Sequence, residues 1–325
     1  MRFARAIFIS VLFVASSPVW DTRAADVYPS HALRWIVAYP AGGGSDVLAR
    51  TVGAELSTQL GQPVVIENRP GGATVIGAEV VAKAAPDGYT LLVGVTGSHS
   101  INTSLFKSMP YHPLRDFEPL TLATVFPNAI VVNPSVPANN LPELIALLKA
   151  KPGAYSYGSD GNGTASHLTM ELLKTKAGFT ATHVPYKGGA PMVTDLLGGQ
   201  IQIGITGLPA VQQYVKAGTL KLIAITTAQR MPAAPGYPTV AEQGFPGFSA
   251  APWAGFFAPK GTPPAIVAKV SADLVDVMQM PDVQQRMQDI GSQLMPNTPA
   301  EFRKFLEDEI AKWGEAVKVS GASVD

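Results

Sequence analysis

The sequence predicts an α/β fold of two lobes, each built on a mainly parallel sheet flanked by helices, with the chain crossing between them twice. Three observations carry this expectation. Strands and helices alternate through the first part of the chain, the mark of a parallel sheet. A short aromatic strand that runs into a glycine-rich polar turn and then a helix start occurs twice, at 35–46 and 155–164. Two proline-bearing extended runs, 117–133 and 231–252, read as the outward and return crossings. The expected division is 26–126 for the first lobe, 127–250 for the second and 251–325 for the return to the first.

The first unit reads Trp35-Ile-Val-Ala-Tyr-Pro-Ala-Gly-Gly-Gly-Ser-Asp46. Trp35, Ile36, Val37 and Tyr39 make a buried strand, and Pro40 ends it because proline cannot donate to a sheet ladder. The glycines then allow a tight turn with uncovered N–H groups. A helix follows with Leu48, Val52, Leu56 and Leu60 on one face, stopped by Gly61. Asp46 and Arg50 are spaced to pair across its first turn. A glycine turn entering a helix N-terminus can bind an anion, because the first-turn amides lack intrahelical partners and carry the positive end of the dipole. Alone, such a turn is more often merely a turn; its recurrence favours a site.

Further along, 63–67 is a second strand, and Pro70-Gly71-Gly72 turns into a helix bearing Val75, Ile76, Val80 and Val81. The turn Asp87-Gly88 leads to a third strand, 89–95. The loop 96–102 should therefore lie at the same sheet edge as the first glycine turn, where open α/β sheets bind ligands. In the second lobe, Asn140 and Glu143 make a capping pair for a helix over 141–151. The strand 155–158 enters Ser159-Asp-Gly-Asn-Gly-Thr164, with Thr164 as N-cap of a helix carrying Leu168, Leu172 and Leu173. Strands at 182–186, 200–206 and 220–227 alternate with helices at 192–197 and 209–216. Helices over about 263–280, 281–290 and 298–319 finish the chain and should pack on the first lobe.

Composition narrows the classes of function. The 24 basic residues balance 24 acidic ones in a chain of 325, so neither a nucleic-acid surface nor a polybasic membrane patch is indicated. Arg2 and Arg5, the apolar run 6–15 and the small residues at Ala24-Ala25 read as a secretory signal over 1–25. The chain has no cysteine, which fits export to a periplasm and excludes disulfides and thiolate metal sites.

Enzyme signatures approach but do not close. Gly42-x-Gly44-x-x-Val47 has valine at the third glycine of a dinucleotide fingerprint, and Asp46 would face a pyrophosphate with like charge. Tyr157-Gly-Ser159-Asp-Gly161 has tyrosine where a nucleophile elbow needs its first glycine. Ser166 and His167, adjacent on a helix, face different ways. The five histidines show no metal spacing, so no metal or cofactor is expected. A secreted hydrolase using Ser159 or Ser166 remains an alternative, as does a sensory receptor signalling to a membrane kinase.

The order Tyr39-Pro-Ala-Gly-Gly-Gly-Ser-Asp46, Gln59-Leu-Gly-Gln-Pro-Val-Val65, Glu67-Asn-Arg-Pro-Gly-Gly72, Ala85-Pro-Asp-Gly-Tyr-Thr-Leu-Leu92, Gly161-Asn-Gly-Thr164 with His167, and His183-Val-Pro-Tyr-Lys-Gly188 resembles the substrate-binding receptors of tripartite tricarboxylate transporters, the Bug receptors. The resemblance runs from about Tyr28 to the C-terminus. It implies a type II periplasmic binding-protein fold with a two-strand hinge that closes on a small carboxylate-bearing solute, a di- or tricarboxylate, an acidic amino acid or an aromatic acid. A monomer is expected, with a membrane permease of one large and one small subunit as partner. Position by position, the resemblance places the first ligand loop on Tyr39, Ala41, Gly42, Gly43, Ser45 and Asp46. The second falls on Ser159, Gly161, Asn162, Gly163 and Thr164, with His167. Thr96, Ser98, Tyr186, Lys187 and Thr206 would complete the cleft. Ala41 and Thr206-Gly207 depart from the family's pattern, so the ligand's identity cannot be borrowed from relatives.

Overall fold

The computed structural model describes residues 28–232 and 234–324; the expected secretory signal lies outside them. In chain order the elements are β1 (Leu33–Val37), α1 (Gly44–Leu60), β2 (Val64–Asn68), α2 (Val75–Ala82), β3 (Thr90–Val95), α3 (Asn102–Leu105) and β4 (Phe117–Val125). There follow β5 (Asn128–Val132), α4 (Leu141–Ala150), β6 (Ser156–Ser159), α5 (Ala165–Ala177), β7 (Thr182–Pro185), α6 (Gly189–Leu197), β8 (Ile203–Gly207), α7 (Leu208–Lys216) and β9 (Lys221–Ile225). The chain ends with β10 (Trp253–Pro259), α8 (Pro264–Met278), α9 (Pro281–Asp289), β11 (Gln293–Leu294) and α10 (Pro299–Ser320).

Two sheets result, a six-stranded one in the order β11-β4-β10-β3-β1-β2 and a five-stranded one in the order β7-β6-β8-β5-β9. In the first, β1 pairs in parallel with β2 and β3, and in the second β6 pairs in parallel with β7 and β8. Each sheet also takes one strand that begins at a crossing: β10 is antiparallel to β3 and β4, and β5 to β8 and β9. The reversal has a simple cause. The classical α/β strands end at the edge between the sheets, whereas a strand entering from the other sheet starts there and must run the opposite way.

The crossings hold each other. The Phe126 amide donates to the Pro252 carbonyl at 2.7 Å, and the Thr226 amide donates to the Asn128 carbonyl at 3.0 Å. Two apolar clusters cover the two faces of the first sheet, one around Trp35, Leu48 and Phe256 and the other around Phe117, Phe257 and Phe302.

The C-terminal helices α8 and α9 pack on the first sheet as expected, and only the second half of α10 departs from that. The first half of α10 packs on the first sheet through Phe302 and Leu306. Its second half leaves that sheet, and Trp313, Ala316 and Val317 join the cluster of Leu168 and Leu172 against α5 of the second sheet. A helix of 22 residues spans about 33 Å, enough to reach past one lobe. Glu309 sits at the changeover, only 6 % exposed. Its Oε2 accepts the indole N–H of Trp253 at 3.0 Å and of Trp313 at 2.7 Å, and its Oε1 pairs with Lys312. The loop expected at 96–102 is likewise ordered as one wide helical turn over Gly97–Ile101 that runs into α3.

Candidate functional site: the cleft between the sheets

A cavity of about 890 Å³ opens where the C-terminal ends of β1, β3, β6 and β8 face one another. One wall is the turn after β1, with Tyr39, Ala41, Gly43, Gly44 and Ser45. The opposite wall is the turn after β6, with Asp160, Asn162, Gly163, Thr164 and Ser166. The floor is the crossing itself, Phe126, Asn128, Pro252 and Trp253. The carboxyl ends of sheet strands are where α/β folds place ligands, since the turns there feed helix N-termini.

The first turn leaves its helix open. Gly43 is the N-cap of α1 and supplies no side-chain cap; its carbonyl takes the Asp46 and Val47 amides at 2.9 and 3.0 Å, which leaves Gly44 and Ser45, both in the cleft lining, as the helix start open to a ligand. Gly42 and Asp46, expected to touch ligand, brace the turn from behind. The Asp46 carboxylate accepts the Gly42 amide at 2.8 Å, the Asn68 amide at 2.9 Å and Arg50 Nε at 3.0 Å. Burial alone would raise this carboxyl, but the hydrogen bonds from Arg50, Gly42 and Asn68 outweigh it and hold the group below the usual range.

The second turn spends more of its amides on itself. Asp160 N donates to Ser166 Oγ at 3.1 Å, Gly161 N to Ser159 Oγ at 3.2 Å, and Gly163 N to His167 Nδ1 at 3.1 Å. Thr164 caps α5 by accepting the His167 amide. What remains toward the cleft is the first turn of α5 with the side chains of Asn162, Thr164 and Ser166.

Several predicted residues therefore lie behind the cleft wall, each for a visible reason. Ser159 is fully buried, its hydroxyl 2.7 Å from His183 Nε2. His167 is 4 % exposed and stacks on His183 with ring centroids 3.9 Å apart. Gly161 shapes the turn with φ +141° but does not line the cavity. Ser98 is fully buried because its segment is helical, and its hydroxyl bonds the Val95 backbone and His99 Nδ1. Tyr186 turns its hydroxyl away to Asp195 at 2.8 Å, and Lys187 lies outside the lining. Thr96 does line the cleft, but its hydroxyl accepts the Trp253 amide at 2.7 Å and so serves the crossing. Thr206 is buried beside Asp160 rather than on the wall.

Three features escaped the sequence reading. Residues 70–74 form a further wall, in which Ala73 and Thr74 both adopt positive φ, +50° and +78°. That is costly for residues with a Cβ, and the Asn102 side chain holds the segment by donating to the Ala73 carbonyl at 2.7 Å. Asn128, 3 % exposed, lines the cleft with a buried Nδ2 that has no hydrogen-bond partner among the described residues. Asp160 lines it with a buried Oδ1 in the same condition. Burial raises the Asp160 carboxyl, while the Thr206 and Ser166 hydroxyls pull it back down. Its charge is felt across the cleft by Tyr39, whose phenol is raised by desolvation and then by Asp160.

Among the described residues, those that line the cleft include no lysine, arginine or histidine. Attraction for an anion must come from helix N-termini and neutral donors.

Two lobes joined at a two-strand crossing, with a cleft at facing strand ends, define the fold of a periplasmic solute-binding protein. A family model for the tripartite tricarboxylate transporter family receptor matches residues 48–322. The protein BugT of Bordetella pertussis is 36 % identical over 325 residues, covering all of both chains. The structure of Rpa4515 of R. palustris with adipate aligns at TM-score 0.76 and 36 % identity, over 90 % of this chain and 98 % of that one. MatC of Rhodopseudomonas palustris with bound malate aligns at TM-score 0.72 and 32 % identity, over 89 % of this chain and all of that one. The chain belongs to the receptor family of the tripartite tricarboxylate transporters. That family is one of periplasmic solute receptors.

Proposed function

We propose that the protein is an extracytoplasmic receptor that closes its two lobes on a small carboxylate-bearing solute and delivers it to a tripartite membrane permease. The observation that carries this reading is the pair of helix starts, α1 and α5, that open on one cavity from opposite sheets. The solved relatives with adipate and malate support the ligand class.

Magnitudes allow it without a cationic side chain. A helix N-terminus contributes about 0.3–1 kcal/mol to a carboxylate, and about 2 when partly buried. Each charge-assisted hydrogen bond adds about 1.5–3 kcal/mol. Micromolar affinity needs about −8 kcal/mol net, which four or five such bonds reach after the entropy of capture.

Thermal-shift screening of the mature protein against a library of organic and amino acids tests the reading. A carboxylate that raises the melting temperature supports it, and a library without one such acid overturns the ligand class. Co-purification of the permease subunits from solubilised membranes with the liganded receptor tests delivery.

A further inference from the structure

The short helix α3 is anchored in one lobe and packed into the other. Its anchors lie on the first lobe. The Asn102 side chain donates to the Ala73 carbonyl at 2.7 Å, and Tyr111, part of the first-sheet cluster, donates its hydroxyl to the Ser98 carbonyl at 2.8 Å. Yet Ile101 and Leu105, both buried, lie in the apolar cluster of Leu168, Leu172 and Trp313 against the second sheet.

Leu105 meets the second cleft turn itself. A Cβ added at Gly163 would lie 3.0 Å from both Leu105 Cδ atoms, so the leucine seats against the bare backbone of a glycine. That turn has little freedom to shift, because the Gly163 amide donates to the buried His167 Nδ1 at 3.1 Å. Ile101, Leu105 and Gly163 all line the cavity. A first-lobe side chain and a second-lobe backbone are thus in contact directly beside the space for the solute.

Resting on the receptor reading above, we infer that Leu105 is the latch of lobe closure, a positioning residue whose burial against Gly163 holds the second cleft turn to the first lobe. Opening the cleft parts the two residues and returns apolar surface of Leu105 to water. The cost is the same whichever acid is bound, and it enters every dissociation constant through the fraction of closed molecules. Leu105 therefore sets how long an acid stays, not which acid is chosen.

Stopped-flow tryptophan fluorescence reads the rates, since Trp253 lines the cleft, with adipate, malate and every hit of the library screen as probes. Leu105→Ala should release each bound acid roughly tenfold faster or more, with association changed far less and the order of preference among acids kept. Leu105→Met restores the bulk and should bring release back toward wild type. A residue that only stabilises the fold would lower the melting temperature and leave these rates alone. Unchanged release in Leu105→Ala, or a change confined to one acid, overturns the inference.

A crosslink tests the same contact without truncating the core. The chain has no cysteine of its own, and a Cβ at Gly163 would lie 3.6 Å from Leu105 Cγ, the position an introduced sulfur would take. The double substitution Leu105→Cys, Gly163→Cys is therefore within disulfide reach. Oxidised with an acid bound, it should trap that acid, with release slowed roughly tenfold or more and restored by dithiothreitol. An oxidised protein that exchanges acid as fast as the reduced one, or a pair that does not crosslink with acid bound, overturns the inference and leaves the receptor reading standing. Absence of binding by wild type to every acid of the library is instead the failure of the receptor reading itself.

Discussion

The Ser159 hydroxyl and His183 Nε2 lie 2.7 Å apart, in a layer behind the second cleft turn. The distance is that of a nucleophile and its base, but Ser159 is fully buried and outside the cavity lining. The pair instead anchors the turn: Ser159 Oγ accepts the Gly161 amide while His183 stacks between Tyr157 and His167. Neither wild type nor the Ser159→Ala, Ser166→Ala double variant should hydrolyse p-nitrophenyl esters above the buffer rate. Turnover in wild type that the double variant loses would restore the hydrolase alternative.

The same stack makes stability sensitive to acid. Burial, then the neighbouring His167, lowers His183 to about 4, and burial alone lowers fully buried His99 to about 3. Both rings stay neutral in the folded protein near pH 5, whereas in the unfolded chain they take up protons at about 6.5. Their contribution is therefore fully present above pH 6.5 and is lost as pH falls toward 4. For partly buried His183, solvent screening leaves about 1–2 kcal/mol of this effect. Urea midpoints measured from pH 7.5 to 4.5 should drop steadily, and a flat profile would contradict the buried neutral stack.

Glu309 fastens the C-terminal helix to the return crossing. In Glu309→Ala, the indole N–H groups of Trp253 and Trp313 and the Lys312 ammonium lose their shared acceptor together. Breaking such a buried arrangement from one side costs about 3–5 kcal/mol. Denaturant unfolding should show that loss, with a smaller one in Glu309→Gln, which keeps an acceptor oxygen. Equal stability of all three proteins would mean that the crossing is held by packing alone.

The glycines of the two turns should respond differently. Gly43 has φ −77° and its nearest neighbour to an added Cβ is the Pro40 carbonyl at 3.7 Å, so Gly43→Leu should fold normally. Its side chain would cover the α1 amides and weaken ligand binding by about tenfold or more. Gly161 has φ +141°, and an added Cβ would sit 3.1 Å from the Tyr186 carbonyl. Gly161→Ala should lower stability by about 1 kcal/mol or more as well as weaken binding. Titration and urea unfolding of both variants separate the two effects.

Much of this was readable in the chain because its signals are local. Trp35-Ile-Val followed by Pro40 and three glycines announces a strand, a turn and an uncapped helix, and the repeat at 157–164 announces a second. The antiparallel β5 and β10 were not legible, since their direction follows from where the chain enters a sheet and not from any period in the residues. The pairing of Asp46 with Arg50 was legible from their i,i+4 spacing, but its further contacts with Gly42 and Asn68 join residues whose proximity no local pattern shows. Asn128 went unnoticed because it is an ordinary strand residue in sequence, and its place in the cleft lining follows from where the crossing runs; Asp160 lay inside the expected turn 159–164 without being singled out.

The most direct measurement is a crystal structure of the mature protein with the tightest-binding acid from the screen. A carboxylate within about 3 Å of the first-turn amides of α1, and the same molecule touching the α5 turn of the other lobe, is the predicted result. An acid held by one lobe alone, or bound outside the cleft between the two turns, would contradict it.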